Sequence, residues 1–243
     1  MSRSLPAAVL LLTVLSIGCE TDAPSDAKST FEKPTPSWQS LVDQVKSGDS
    51  TEIEMREPVT SEQLGQLVEL PTLQRLKLEQ PSLDEESIKA IASLTQLEML
   101  ILRETKLEET ATKALLFLQN LRVLNIPQAE IDDRQLAEFS ALPKLELLRV
   151  GSSKLTDAAM KSLPNFPSLR FVHLIQAPIT DEGLMALHSF QQLESLYLDG
   201  AQVSDEGLLQ LMEHCPELHI HINQRHLDFD PSGHDHQHPS DGN

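Results

Sequence analysis

The chain has 243 residues, enough for one elongated domain with tails. It carries 19 Lys+Arg against 37 Asp+Glu, a net charge of −18. Non-specific nucleic-acid binding needs clustered cations that displace counterions, so this balance argues against it; it suits a solvated surface or, alternatively, a basic partner. Aromatic residues make up only 4%, so the core has to be built from leucine.

Residues 1–19 read MSRSLPAAVLLLTVLSIGC. Arg3 precedes an apolar run from Leu5 to Ile17, too short to span a membrane comfortably, and small residues follow. That order predicts a secretory signal peptide. The ending Leu15-Ser16-Ile17-Gly18-Cys19 resembles the lipobox of bacterial lipoproteins. The resemblance implies that cleavage removes residues 1–18 and that the Cys19 thiol carries a diacylglycerol. It also implies a lipid-anchored protein of the bacterial cell envelope, with the anchor as the only membrane contact. Glu20 leans towards the periplasmic face of the outer membrane or the cell surface. The alternative is an ordinary signal peptide followed by a free thiol. An acylated Cys19 cannot pair, so Cys215 is expected as a buried lone thiol with no structural disulfide. Residues 19–36 then hold the lipidated cysteine and a disordered tether, ETDAPSDAKSTFEKPTP, which buries too little apolar area to order itself.

Residues 37–50 are predicted to form an N-terminal capping helix. Ser37 suits the N-cap, Trp38, Leu41, Val42 and Val45 recur at helical spacing, and Gly48 is a plausible stop. Its low basic content disfavours the alternative, a helix lying in a membrane surface.

From there the chain repeats. Leu73, Leu97, Leu121, Leu145, Leu169 and Leu193 recur every 24 residues and begin LQRLKL, LEMLIL, LRVLNI, LELLRV, LRFVHL and LESLYL. A fixed period of this length marks a solenoid, whose units bury their apolar faces only by stacking. A second phrase follows each strand: LDEESI, LEETAT, IDDRQL, LTDAAM, ITDEGL and VSDEGL, with an earlier copy, VTSEQL, at 59–64. Apolar residues at steps of three then mark one helix face, as with Phe139 and Leu142. Asp84, Asp132, Thr156, Thr180 and Ser204 suit helix N-caps, and the acids after them favour the positive end of the helix dipole. Calcium, the other reading of the acidic pairs, needs six to eight converging oxygens. Irregular first and last strands are expected around Ile53 and Met55 and around Ile220 and Ile222.

The phrases ITDEGL and VSDEGL, with LxxLxL, resemble leucine-rich repeats of the short GALA-like bacterial type over about 51–223. The resemblance implies an α/β leucine-rich-repeat solenoid with short parallel strands on the concave face and helices on the convex face. Many such repeats place Asn or Cys three residues after the strand. Here those positions are Pro81, Thr105, Ala129, Ser153, Ala177 and Ala201, so small residues are expected to pack there and a continuous asparagine ladder is excluded.

Strand alternation points residues three, five and seven of each phrase over the concave sheet. The third positions Met99, Val123, Leu147 and Phe171 form an apolar stripe across four strands, flanked by Ile101, Ile175 and Tyr197. Arg75, Lys77, Arg103 and Arg149 rim it. Nothing in the fold requires apolar residues there, so the face reads as an interaction surface for a protein or peptide. The predicted contact set is Arg75, Met99, Ile101, Val123, Leu147, Arg149, Phe171, His173, Ile175 and Tyr197. Self-association through the stripe is open. The alternatives are that a loop or the tail covers it, or that β-propensity alone selected it.

Residues 224–243 read as a disordered His-rich tail, in which His234, His236 and His238 could collect a metal ion. A periplasmic metal-binding protein is therefore the competing function, although a flexible tail has no scaffold to fix geometry. His219 and His221 share one strand face, but two ligands do not close a site. No GxSxG elbow, Gly-rich phosphate loop or HExxH is present, so no enzyme activity and no cofactor are expected. Cys215, next to Pro216, reads as core rather than nucleophile.

Overall fold

The LxxLxL phrases become strands because their apolar residues alternate. In each, the fourth and sixth residues are buried and, Ser195 apart, the third and fifth keep some exposure. In the computed structural model, Leu124 and Ile126 are buried while Val123 and Asn125 between them are half-buried. The structure describes residues 36–223 and the backbone of 225 and 226. The expected leader, Cys19 and most of the tether lie outside the described residues, as do His234, His236 and His238.

The capping helix α1 (Trp38–Ser47) leads into β1 (Glu52–Met55) and α2 (Ser61–Gly65). Six units follow: β2 (Arg75–Leu78) with α3 (Glu85–Ala92), β3 (Met99–Leu102) with α4 (Glu109–Leu115), β4 (Val123–Ile126) with α5 (Asp133–Glu138), β5 (Leu147–Gly151) with α6 (Asp157–Ser162), β6 (Phe171–Ile175) with α7 (Asp181–Met185), and β7 (Ser195–Asp199) with α8 (Asp205–His214). β8 (His219–Ile222) and β9 (Arg225–His226) close the order. Among the described residues the nine strands lie in one sheet in chain order; β1 to β8 pair parallel, and β9 pairs antiparallel with β8. This is a leucine-rich-repeat solenoid with an α/β unit.

The register carries no offset. Leu76 lies opposite Leu100, Leu100 opposite Leu124, and Leu124 opposite Leu148. From β2 to β8 each residue therefore meets the one a full repeat away, and every column of the sequence becomes a line across the sheet. Leu73, Leu97, Leu121, Leu145 and Leu169 are fully buried between sheet and helices, with Phe139 and Phe166 filling the helix side. The first and last strands depart from expectation. They are regular: β1 pairs four residues with β2, and β8 pairs four with β7.

Helix starts follow the expected caps. Ser37, Asp84, Asp132, Thr156, Thr180 and Ser204 each accept from a backbone N–H in the first turn. Gly48 ends α1 in the left-handed region at φ 84°, where glycine carries no Cβ penalty. The acids after the caps do more than favour a dipole. Asp133 accepts from Thr156 N and Oγ1 at 2.8 and 2.7 Å, Asp157 from Thr180 at 2.8 and 2.6 Å, and Asp181 from Ser204 N and Oγ at 2.8 and 2.6 Å. Each carboxylate thus clamps the cap of the next helix.

This ladder explains the glycine in DEGL. A Cβ on Gly207 would stand 2.3 Å from Asp181 Oδ1, and one on Gly183 would stand 2.4 Å from Asp157 Oδ1. Helix preference alone favours Ala over Gly by up to about 1 kcal/mol. Here the carboxylate is held by two hydrogen bonds and cannot step aside. Gly207→Ala is therefore expected to lower the melting temperature, and the same change in an Asp181→Ala background is expected to cost less, since only the Cβ of residue 181, 3.0 Å away, still stands against it. A thermal-melt cycle over the four proteins reads this coupling directly.

After the strands, Pro81, Ala129, Ala177 and Ala201 are buried as expected, and Thr105 is half-buried. Ser153 is not; it is exposed, and Ser152 is the buried residue, donating to Ile131 O at 2.6 Å. That hydrogen bond turns Ser152 inward in place of Ser153. A single asparagine does act as a ladder rung. Asn223 Oδ1 accepts from Gly200 N and Ala201 N at 2.7 and 3.2 Å, and its Nδ2 donates to Ala201 O at 3.0 Å.

Candidate functional site

Four neighbouring strands bring the predicted stripe together. Met99 lies opposite Val123, Val123 opposite Leu147, and Leu147 opposite Phe171. All four side chains are half-buried rather than fully exposed. Strands about 4.8 Å apart let each apolar group pack sideways on the next, so the stripe is a continuous low surface. Ser195, buried, ends it on β7. Arg170 places its guanidinium 5.3 Å from the Phe171 ring centroid, an orientation that a cation favours over an aromatic face.

The basic rim is a correction. Lys77 is paired with Glu52 at 2.9 Å and Glu54 at 3.2 Å, Arg75 with Glu52 at 3.6 Å, and Arg103 with Glu79 at 3.2 Å. The hydrogen bond to Glu52 leads the upward shift of the Lys77 ammonium, against burial. β1 pairs beside β2, and its acids neutralise that corner. Arg149 lies further along, with Arg103, Lys106, Pro127, Glu130 and Ile175 among the residues lining an open cleft of about 750 Å³ at the strand ends. The cleft mixes both signs of charge, with Glu104 and Glu130 beside its cations.

Aromatic rings gather on β6 to β8. Tyr197 lies 5.4 Å from His173 and stacks on His221 at 4.3 Å between centroids. His173 Nε2 meets Asp199 Oδ2 at 2.8 Å. The 24-residue spacing places His173, Tyr197 and His221 side by side, whereas Asp199 reaches His173 diagonally from the position paired with Ile175. Cys215 is half-buried, not fully buried as expected, with its thiol 3.7 Å from Leu187 O. It sits where α8 ends and one side stays open, and burial still pushes the thiol's pKa up. Among the described residues no group of three or more His, Cys, Asp or Glu is placed to hold a metal ion. None of their helices is long and apolar enough to cross a membrane.

Two histidines set an acid limit on stability. Burial pulls His173 below its ordinary 6.5, with Arg149 adding to the shift and Asp199 opposing it. Burial also lowers His188, helped by His214, whose ring stacks on it at 3.9 Å. Above 6.5 neither the folded nor the unfolded state holds these protons, and this share of stability is fully present. As pH falls below 6.5 the unfolded chain takes the proton first, so stability drops until the folded pKa is passed. Asp84, held by Ser87, and Glu109, held by Lys113, are lowered from 3.8 and 4.5 and add a second decline at more acid pH. The melting temperature is expected to fall in these two windows. The upper decline should flatten in His173→Asn/His188→Asn; an unchanged upper decline would contradict the assignment.

A scan against protein-family models finds no match, and no curated protein matches the chain. Among solved structures, the chain is similar to an internalin (inlF) from Listeria monocytogenes str. 4b F2365, at 18% identity and a TM-score of 0.47. The match covers 70% of this chain and 53% of that one, so the chain spans about half the length of that protein.

Proposed function

We propose that this leucine-rich-repeat chain is a non-enzymatic binding module of the short GALA-like type that recognises a protein or peptide on its concave face. One observation carries the reading. Met99, Val123, Leu147 and Phe171 line up in register on four adjacent strands and keep solvent-accessible apolar surface. Alternation already supplies a complete core on the other face, so folding makes no demand on these positions. Ile101, Ile175 and Tyr197 widen the contact, and Arg149 and His173 supply polar groups beside it. The module is held in the bacterial cell envelope through a lipidated Cys19 and the tether after it, on the periplasmic face of the outer membrane or at the cell surface.

The test is a double substitution. Leu147→Glu/Phe171→Glu places two charges where a partner would bury apolar area. Each such anchor is worth about 2 kcal/mol or more in a tight interface, so binding is expected to weaken by at least about a hundredfold. Circular dichroism should be unchanged, because neither side chain lies in the core. Undiminished partner recovery by the folded variant would reject the reading. If the recovered partner is a second copy of the chain, size exclusion will show a dimer that the double substitution splits.

A further inference from the structure

The helix side of the last two units departs from a pattern that earlier units keep. Lys89, Lys113 and Lys161 occupy one position of the 24-residue unit, on α3, α4 and α6. Each is ion-paired at 2.6 Å: Lys89 with Glu85, Lys113 with Glu109 and Lys161 with Glu182. On α7 and α8 the same position holds Met185 and Leu209, which are 56% and 60% exposed. Three residues further along, His188 and Met212 are half-buried. Residues three apart share a helix face, so these four side chains on two neighbouring units make one largely apolar block. The His214 ring stacks on His188 at 3.9 Å and borders it.

Acids flank the block. Lys161 reaches forward to Glu182; one unit on, Met185 and Glu206 take those two places, and the acid meets no ammonium group. Among the described residues Asp205, Glu206 and Glu213 are exposed and form no ion pair. The column has exchanged its cations for apolar groups and kept its anions.

We propose that this block docks an amphipathic helix of a partner protein, one whose apolar stripe is flanked by Lys or Arg. The backbone of α7 and α8 is hydrogen-bonded within each helix, so the surface has no strand edge to pair with an extended peptide. Such a peptide would bury its own backbone groups unsatisfied. A helix carries those bonds internally and offers its i, i+3, i+4 stripe to the ridges of the two helices. Its flanking cations would meet Glu206, Asp205 and Glu213, supplying the charge that the column lost. The same acids repel an anionic bilayer and a second copy of a chain whose net charge is −18. The block lies on the helix side and the Met99–Phe171 stripe on the sheet side, so the two surfaces are independent.

The experiment is fluorescence anisotropy with a labelled amphipathic peptide of Leu and Lys, about 18 residues or five helical turns long. A scrambled peptide of the same composition reads the contribution of charge alone. The full-length chain is compared with Met185→Gln/Leu209→Gln and with Val68→Gln/Phe117→Gln, which removes exposed apolar groups elsewhere on the helix side. The wild type and the Val68/Phe117 variant are expected to bind the helical peptide at least about tenfold more tightly than the scrambled one. Met185→Gln/Leu209→Gln should lose that preference. Met185→Lys installs the residue that α3, α4 and α6 already carry, so the fold accommodates it, and it should weaken the helical peptide by a similar factor. Equal affinity of the wild type for both peptides would reduce the contact to charge and overturn the proposal. So would undiminished preference in both Met185 variants, or an equal loss in the Val68/Phe117 variant. Dimerisation on size exclusion, or flotation with phosphatidylcholine vesicles, that disappears in Met185→Gln/Leu209→Gln would give the block to a different occupant and equally overturn it.

Discussion

Phe139→Ala is expected to cost about 3–5 kcal/mol of folding free energy, the range for removing a large buried aromatic group. Phe139 is fully buried and is among the largest side chains in the core. It follows α5 at the helix position that Leu115 and Leu163 fill in the flanking repeats. Those neighbours are leucines, so they cannot swell to close the space, and the cavity lies in the middle of the array. Because a repeat is stabilised mainly by its two interfaces, the loss should spread to β4, α5 and β5 before the terminal units. Urea unfolding gives the magnitude, and hydrogen exchange of the β4 and β5 amides gives the location. Phe117→Ala is the matched control. Phe117 is 69% exposed, and its removal should stay within about 0.5 kcal/mol.

Gly151→Ala is expected to be nearly as damaging, although it adds one methyl group. A Cβ there would fall 1.7 Å from Pro127 O and 2.6 Å from Pro127 C. These are backbone atoms where the chain leaves the preceding strand, β4, so no rotamer relieves the overlap and the two segments must separate. Their separation would pull on the hydrogen bonds from Glu130 N to Gly151 O at 3.0 Å and from Ser152 N to Ile175 O at 2.9 Å. A cost of about 3 kcal/mol lies at the upper end of ordinary overpacking. It should lower the melting temperature by roughly 6–12 °C for a domain of this size. Gly65→Ala, where an added Cβ meets nothing within 4 Å, should be neutral or slightly stabilising in the same assay.

Much of this molecule is legible in its sequence because one unit recurs. The 24-residue spacing of Leu73 to Leu193 places every strand, its buried face and its neighbours, since the sheet pairs without offset. The caps at Asp84, Asp132, Thr156, Thr180 and Ser204 follow from residue type alone. Contacts between repeats are harder to read. The clamp from Asp133 to Thr156, and its copies from Asp157 and Asp181, need each helix start to sit beside the next, and only then does the Asp-to-cap spacing acquire meaning. The neutralised rim was hidden because Glu52 and Glu54 belong to an edge strand without the leucine phrase. Turn geometry was hidden for a different reason. Loops of equal length take different paths: Glu104, Gln176 and Gly200 adopt positive φ at the same repeat position, whereas the turn after β4 does so two residues later, at Glu130. A period sets the length of a turn, not its path. The stripe Met99–Val123–Leu147–Phe171 was visible in one column; its half-burial was not, because sideways packing depends on the strand spacing.

The most direct measurement is site-specific photo-crosslinking in living cells, with a photoreactive residue at position 147 on the sheet and, separately, at position 117 on the helix side. A discrete adduct from position 147, absent from position 117 and abolished by Phe171→Glu in the same chain, is the result expected of a concave-face binding module. Adducts from position 117 with none from 147 would place recognition elsewhere and contradict it.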